Sequence, residues 1–221
     1  MEDGNQMINV IYEDNHLLVV EKPVNIIVQE DDTKDKDLLT ILKEYLKVKY
    51  NKPGNVFLGL VHRLDRPVGG IMVFAKTSKA ASRLSDQVRN NKFEKTYHAV
   101  ICGKVKTEDT LQDKLLKDIT KNITRVDKRG KDSSLSYKLI GYKDGMSLVK
   151  IELHTGRSHQ IRVQFSSRNL PLWGDQKYNK KSIAGEQIAL FASSLSFFHP
   201  VTYKKLTFSL ELPTTYPWNI F

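Results

Sequence analysis

The stretch "VHRLDRPVGG", Val61 to Gly70, sets one carboxylate, Asp65, between Arg63 and Arg66, with His62 beside them and two glycines behind. An ordinary surface turn needs no such density of charge. A site that must hold a carboxylate ionised next to a large anion does. A second stretch, "HTGRSHQIR" from His154 to Arg162, again combines a glycine turn, histidines, two arginines and the start of a helix. Backbone amides and arginines in such a loop suit a phosphate. Arg162, one turn into the helix, points elsewhere than Arg157 and could reach inward to a carboxylate. Taken singly, each stretch also has a plain reading. Asp65 could be a loop salt bridge that fixes a strand exit, because ion-pair networks perturb carboxylates without catalysing anything.

Other chemistries find less support. The histidines, His16, His62, His98, His154, His159 and His199, show no H-E-x-x-H or similar ligand spacing, so each reads as structural or hydrogen-bonding and no metal is expected. Cys102 is the single cysteine, which excludes an intrachain disulfide or a cysteine-based zinc site. There is no G-x-S-x-G elbow, and no P-loop lysine follows "RPVGG". Gly69 and Gly70 read instead as places of close packing or unusual backbone angle.

The bulk properties narrow the partners. With 221 residues and 40% apolar content the chain can bury a real core. A formal net charge of +10 favours a polyanion. The N-terminus "MEDGNQMINV" lacks the basic-then-apolar pattern of a secretory signal, and no apolar stretch approaches a membrane span. The expectation is a soluble, cytoplasmic protein whose partner is nucleic acid, with no membrane role.

Hydrophobic periodicity then gives the elements that must position these residues. Residues 8–23 read as strand, turn and strand, stopped at Pro23. "LLTILKEYLK" puts Leu38, Leu42 and Tyr45 on one helical face. "VFLGLV" reads as a short strand delivering Asp65, and "GGIMVFAKT" as the strand that leaves it. A helix capped by Ser78 carries Ala81, Leu84 and Val88 on one face and Lys79, Arg83 and Arg89 on the other. "KTYHAVICGKV" is a further strand. The most basic segment, Leu111 to Asp132, holds Lys114, Lys117, Lys121, Arg125, Lys128, Arg129 and Lys131 and is expected to be an exposed, irregular arm. Two strands about Asp144-Gly145 form a hairpin. Ile161 and Phe165 lie four apart, as on a short helix, and two last strands turn at His199-Pro200. The fold class expected is α+β, a single domain over 1–221 with a mixed, largely antiparallel sheet flanked by helices and loops.

The motifs "HRLD", "FAKTSKAA", "KFEKTYHAV", "HTGRSHQIR", "LPLWGDQKY" and "SLSFFHP", in that order, resemble the RluA-type family of RNA pseudouridine synthases. The resemblance runs from about Val10 to Pro213. It implies an isomerase that detaches uracil from C1′ through N1 and reattaches it through C5, with no cofactor and no metal. Asp65 matches the family's catalytic aspartate. Arg162 would pair with Asp65 and hold it ionised and oriented. Tyr97 matches the active-site tyrosine, stacking on the uracil and helping the C5 proton leave. Arg63 would fill the stack vacated when the nucleotide flips out. His62 would orient the loop, Ile161 would wall the base, and Arg66 and Arg157 would contact the RNA. The basic faces of the 78–95 and 114–131 segments would supply phosphate contacts.

Departures from the family pattern are "VGG" at Val68 to Gly70 for a common T-S-G, Gln164 for a histidine, and Phe191-Ala192 for His-Ala. No N-terminal S4 RNA-binding module is expected, so recognition of an rRNA or tRNA stem-loop would rest on the catalytic domain, acting as a monomer. Two other readings stay open. A non-catalytic RNA-binding or folding factor could keep the scaffold, although Asp65, Tyr97 and Arg162 all being present speaks against it. A nucleosidic-bond hydrolase could use the same aspartate with water and would release free uracil.

Overall fold

The computed structural model describes residues 8–31 and 35–221. The chain packs as two units, Met1–Phe93 with Ser196–Phe208 and Glu94–Leu195 with Ser209–Phe221. The elements are the α+β set expected, with largely antiparallel strands and three α-helices.

In the first unit, β1 (Asn9–Glu13), β2 (Leu17–Lys22) and β4 (Gly69–Ala75) lie side by side and antiparallel. Leu17 to Val20 and all of β4 are buried. Strands covered on both faces lose apolar–polar alternation, which is why both read as unbroken apolar runs. The β1–β2 turn closes on Asp14, whose Oδ1 accepts from the amides of His16 and Leu17 at 2.7 Å and whose Oδ2 meets His199 Nε2 at 2.9 Å.

Helix α1 (Leu38–Lys49) is capped by Asp37, whose Oδ1 accepts from the Thr40 amide at 3.0 Å. It buries Leu38, Leu42 and Leu46. Tyr45 lies at the flank and donates to Glu13. The cap of α2 (Ser78–Arg89) is Thr77 rather than Ser78, with the Thr77 hydroxyl accepting from the Ala80 amide. Its buried residues are Ala80 and Leu84, so the inward face is turned slightly from the expected one. "VFLGLV" is also corrected. Only β3 (Gly59–Leu60) pairs, with β4, while Val56 and Leu58 are buried without joining a strand.

The second unit is built on β5 (Glu94–Cys102), β9 (Met146–Leu153), β8 (Lys131–Lys143), β6 (Glu108–Asp118) and β7 (Ile123–Val126), neighbours in that order and antiparallel. β8 and β9 turn at Asp144 (φ 50°) and Gly145 (φ 75°), the paired left-handed residues of a tight hairpin. β10 (Leu190–Phe198) has residues in both units and pairs with β11 (Lys205–Ser209). Helix α3 (Gln160–Ser166) is short and buried from Gln160 to Phe165. A cluster of Val100, Met146, Leu148, Ala189, Phe191 and Trp218 fills part of this unit's core.

The segment from Leu111 to Asp132 is not an irregular arm. It is β6, β7 and the start of β8, with Leu115 paired to Val126 and Leu111 to Leu135. Leu111 and Leu115 are buried on one face while Lys114 and Lys117 are exposed. Two leucines four apart, with charged residues between, suffice to seat a strand with one wet face. No helix among the described residues is long and apolar enough to cross a membrane.

This seating separates two substitutions in the same strand. Leu115→Ala should cost about 2–5 kcal/mol in urea unfolding because it empties a buried site. Lys117→Ala should stay within about 0.5 kcal/mol of wild type. Equal, small effects would return the segment to an unstructured arm.

Candidate active site

Asp65 stands in the first unit, on the loop that joins β3 to β4, with its side chain half-buried. Leu64 and Val68 on either side are buried and fix the loop to the core. Its carbonyl accepts from the Val68 amide at 2.9 Å, closing a turn. The group beneath this turn is Lys22, at the end of β2. Lys22 is fully buried, and its Nζ donates to the carbonyls of Pro23 (2.8 Å), Arg66 (3.0 Å) and Val68 (2.8 Å). Three convergent carbonyls match the three N–H bonds of an ammonium. Burial pulls the pKa of Lys22 down to about 7, with the charge of Asp65 acting in the opposite sense and that of Arg66 adding to the fall. The loop is therefore set by a buried cation from a distant strand, and Lys22 faces Gly70 across the β2–β4 ladder.

The neighbours of Asp65 divide by direction. Arg63 is exposed and its Nη2 donates to Gln29 Oε1 at 2.6 Å. Arg66 is exposed and its Nη2 bonds Asp35 Oδ2 at 2.5 Å. The two arginines that bracket Asp65 in sequence thus reach outward to other partners. His62 turns inward. Its Nε2 accepts from the Val73 amide at 3.0 Å, which leaves the proton on Nδ1, and its ring meets Phe93 edge-on at 5.8 Å. This bond ties the start of the loop to β4.

Tyr97, Arg157, Ile161 and Arg162 belong to the second unit. Tyr97 is buried in β5, opposite Ile151. Ile161 is buried in α3. Arg162, also buried, makes a two-pronged bond to Asp175, with Nε to Oδ2 at 2.9 Å and Nη2 to Oδ1 at 2.7 Å. The ring of Tyr178 lies 5.1 Å from its guanidinium carbon, a cation–π contact. The Tyr178 hydroxyl lies 2.6 Å from His159 Nδ1 and accepts from the Thr124 amide at 2.9 Å. Asp175 also accepts from the amides of Lys177 (3.0 Å) and Tyr178 (3.2 Å). Such a set locks the arginine fork in one plane.

The loop before α3 is held as firmly. Gln160 Oε1 accepts from Thr155 Oγ1 at 2.8 Å and from the Arg157 amide at 3.0 Å, and its Nε2 donates to the Ser134 carbonyl at 3.1 Å. His159 takes a left-handed backbone, φ 53°. Arg157 is exposed, its Nε donating to the Asp132 carbonyl at 3.0 Å. Gln164 is buried and bonds Asp113 at 2.8 Å.

Sequence reasoning passed over Lys22 and Asp175. A lysine closing an apolar strand, "LLVVEK", was the available signal for the first. For the second it was a glycine before an aspartate in "WGDQKY". Gly174 has φ +69°, and a Cβ there would lie 2.5 Å from the Gln187 carbonyl oxygen, so only glycine fits.

The Lys22 clamp predicts a measurable loosening. Lys22→Met leaves three carbonyls without their donor, at about 1–3 kcal/mol for each group that finds no other partner. Amide exchange over residues 61–70 should accelerate well above wild type, read by hydrogen exchange and mass spectrometry. Lys22→Arg should not restore protection, because a flat guanidinium cannot face three convergent carbonyls as an ammonium does. Unchanged exchange in both variants would show that the loop holds without the clamp.

Comparison with known proteins gives the family. The family described as RNA pseudouridylate synthase matches residues 16–167. An "uncharacterized RNA pseudouridine synthase" of Aquifex aeolicus is 34% identical, over 96% of this chain and 72% of that protein. The ribosomal large subunit pseudouridine synthase D of Zymomonas mobilis is 31% identical, over 93% of this chain and 69% of that one. Human RNA pseudouridylate synthase domain containing 4 shares the fold, with TM-score 0.78 at 20% identity over 93% of this chain and 88% of that one. The matched region takes in Lys22, the Asp65 loop, Tyr97 and α3 through Phe165. On these grounds the chain belongs to the RNA pseudouridylate synthase family.

Proposed function

We propose that the chain isomerises uridine to pseudouridine in large-subunit ribosomal RNA, with Asp65 as the carboxylate that acts on the target nucleotide. The observation that carries this is the Asp65 loop itself. A half-buried carboxylate sits on a turn fixed from below by Lys22, with Arg63 and Arg66 facing outward where RNA phosphates can reach them. The ribosomal target is supported by the names of relatives such as the ribosomal large subunit synthases D and C.

The reaction breaks the N1–C1′ bond, joins C5 to C1′, and removes the proton from C5 while N1 takes one up, so that substrate and product have the same atoms. Asp65 acts by attack on the sugar, by attack on the base or by promoting elimination. Tyr97 offers its ring to the uracil and its hydroxyl to the departing proton. Arg162, fixed by Asp175, supplies an oriented positive charge. What joins Asp65 to Tyr97 and Arg162 in this proposal is the family motif to which each belongs. Ile161 completes the apolar lining of the base site, and His62 keeps the loop in register.

The target base must leave its stack, at about a few kcal/mol. Arg63 is suited to the gap because its planar cation is exposed and held by a single bond to Gln29. Arg66 and Arg157, both exposed, would take phosphates. So would the outward lysines of β6 and the basic face of α2, which makes binding steeply salt-dependent.

The test is a pseudouridine map of RNA from cells lacking the protein, complemented with wild type or Asp65→Ala. Wild type should restore one or more large-subunit ribosomal sites and Asp65→Ala none. Sites restored only in tRNA would overturn the ribosomal assignment. Restoration by Asp65→Ala would overturn the role of the carboxylate, and free uracil on a chromatogram would indicate hydrolysis.

A further inference from the structure

Lys95 has no role in the mechanism above, yet its placement is unusual. It sits in β5 two residues before Tyr97, and side chains two apart on a strand share a face. The side chain is largely packed away from solvent, and among the described residues its Nζ makes no hydrogen bond and no ion pair. Two other lysines that the fold draws in are matched by acceptors. Lys22 has three carbonyls, and Lys76 has Glu13 at 2.7 Å and the Asp14 carbonyl at 2.6 Å.

The ammonium also has a definite neighbour. A Cβ built on Gly156 would lie 3.4 Å from Lys95 Nζ. The glycine of the Thr155–Arg157 loop is what lets the backbone pass so close to the cation. Arg157 follows Gly156 in sequence, and among the described residues its guanidinium gives only Nε to the protein, at 3.0 Å from the Asp132 carbonyl. Two cations therefore flank one exposed glycine, Lys95 in space and Arg157 in sequence, with Tyr97 further along the same strand face.

We infer that Lys95 is an RNA-binding residue that takes a backbone phosphate beside the target uridine, next to Arg157. A cation partly drawn from solvent, with no counter-charge from the protein, gains when an anion arrives. Burial holds the Lys95 pKa below the usual lysine value, a cost that a phosphate oxygen would offset. The partner is RNA by family, so the anion is a phosphodiester rather than a carboxylate. Its position follows from Tyr97, to which the uracil is assigned above, so the inference rests on that reading for location.

The test compares wild type, Lys95→Met and Lys95→Arg in binding large ribosomal RNA purified from cells lacking the protein, at 50 and 200 mM salt. Lys95→Met should bind about tenfold more weakly at low salt, the loss of one charged hydrogen bond. Its slope of log affinity on log salt should be shallower by about 0.7–0.9, one phosphate fewer. Lys95→Arg should keep affinity and slope near wild type. The melting temperature of Lys95→Met should not fall, since methionine fills the volume and no protein contact is lost. A wild-type slope and affinity in Lys95→Met would overturn the inference. So would a fall in its melting temperature that accounts for the weaker binding, or equal loss in Lys95→Arg. If wild type forms no pseudouridine in this RNA, the ribosomal assignment fails, while the salt slopes still decide the role of Lys95.

Discussion

The geometry of the first unit depends on one buried ammonium. Lys22 ends a strand whose preceding residues are almost all apolar and covered, and it reaches under the Asp65 loop to gather the carbonyls of Pro23, Arg66 and Val68. A cation so placed is costly in itself, because transfer from water disfavours the charged form. It is tolerated because the acceptors converge on it and because the carboxylate of Asp65 opposes the effect of burial. An apolar residue at this position would leave the loop carbonyls unmatched. The antiparallel ladder that pairs Lys22 with Gly70 brings the cation under the start of β4, so the sheet sets the clamp and the clamp sets the loop.

The second unit solves a similar problem, a buried cation, with a carboxylate in place of carbonyls. Arg162 enters the interior on a seven-residue helix and is met by Asp175, which in turn collects the amides of Lys177 and Tyr178. Tyr178 then links the guanidinium face to His159 and to the Thr124 amide in β7. Burying a single ion pair is often no better than an apolar contact of the same volume. A network in which the lone pairs and protons are matched acts instead to fix direction. That is the property a guanidinium needs if it is to orient a reacting group.

Much of this was legible in the sequence where one local rule dominates. The β8–β9 hairpin is written in Asp144-Gly145, whose left-handed angles few other pairs adopt. The inner strands show as unbroken apolar runs, and the motifs around Asp65 and Arg162 identify the family. The misreadings share a cause. Between Leu111 and Asp132 the buried positions are few and the outward lysines many, so charge hid a period of two that Leu111 and Leu115 maintain. Thr77 and Ser78 are both good caps, and only backbone angles choose between them. Lys22 and Asp175 act through partners as many as 46 residues away in the chain, a separation at which local pattern says nothing.

The charges near Asp65 finally sort by the free energy of removing them from their partners. Arg66 and Asp35 form an exposed pair, roughly half accessible on each side, and such pairs contribute only about 0–1 kcal/mol. Arg63 likewise rests on one exposed glutamine. Contacts this weak can be exchanged for phosphate oxygens at little cost, whereas the buried bonds of Lys22 and Arg162 cannot. The dense charge of "HRLDR" thus has two functions within a few residues. The cation that holds the carboxylate's loop comes from β2, and the arginines beside the carboxylate stay exposed on weak, exchangeable contacts.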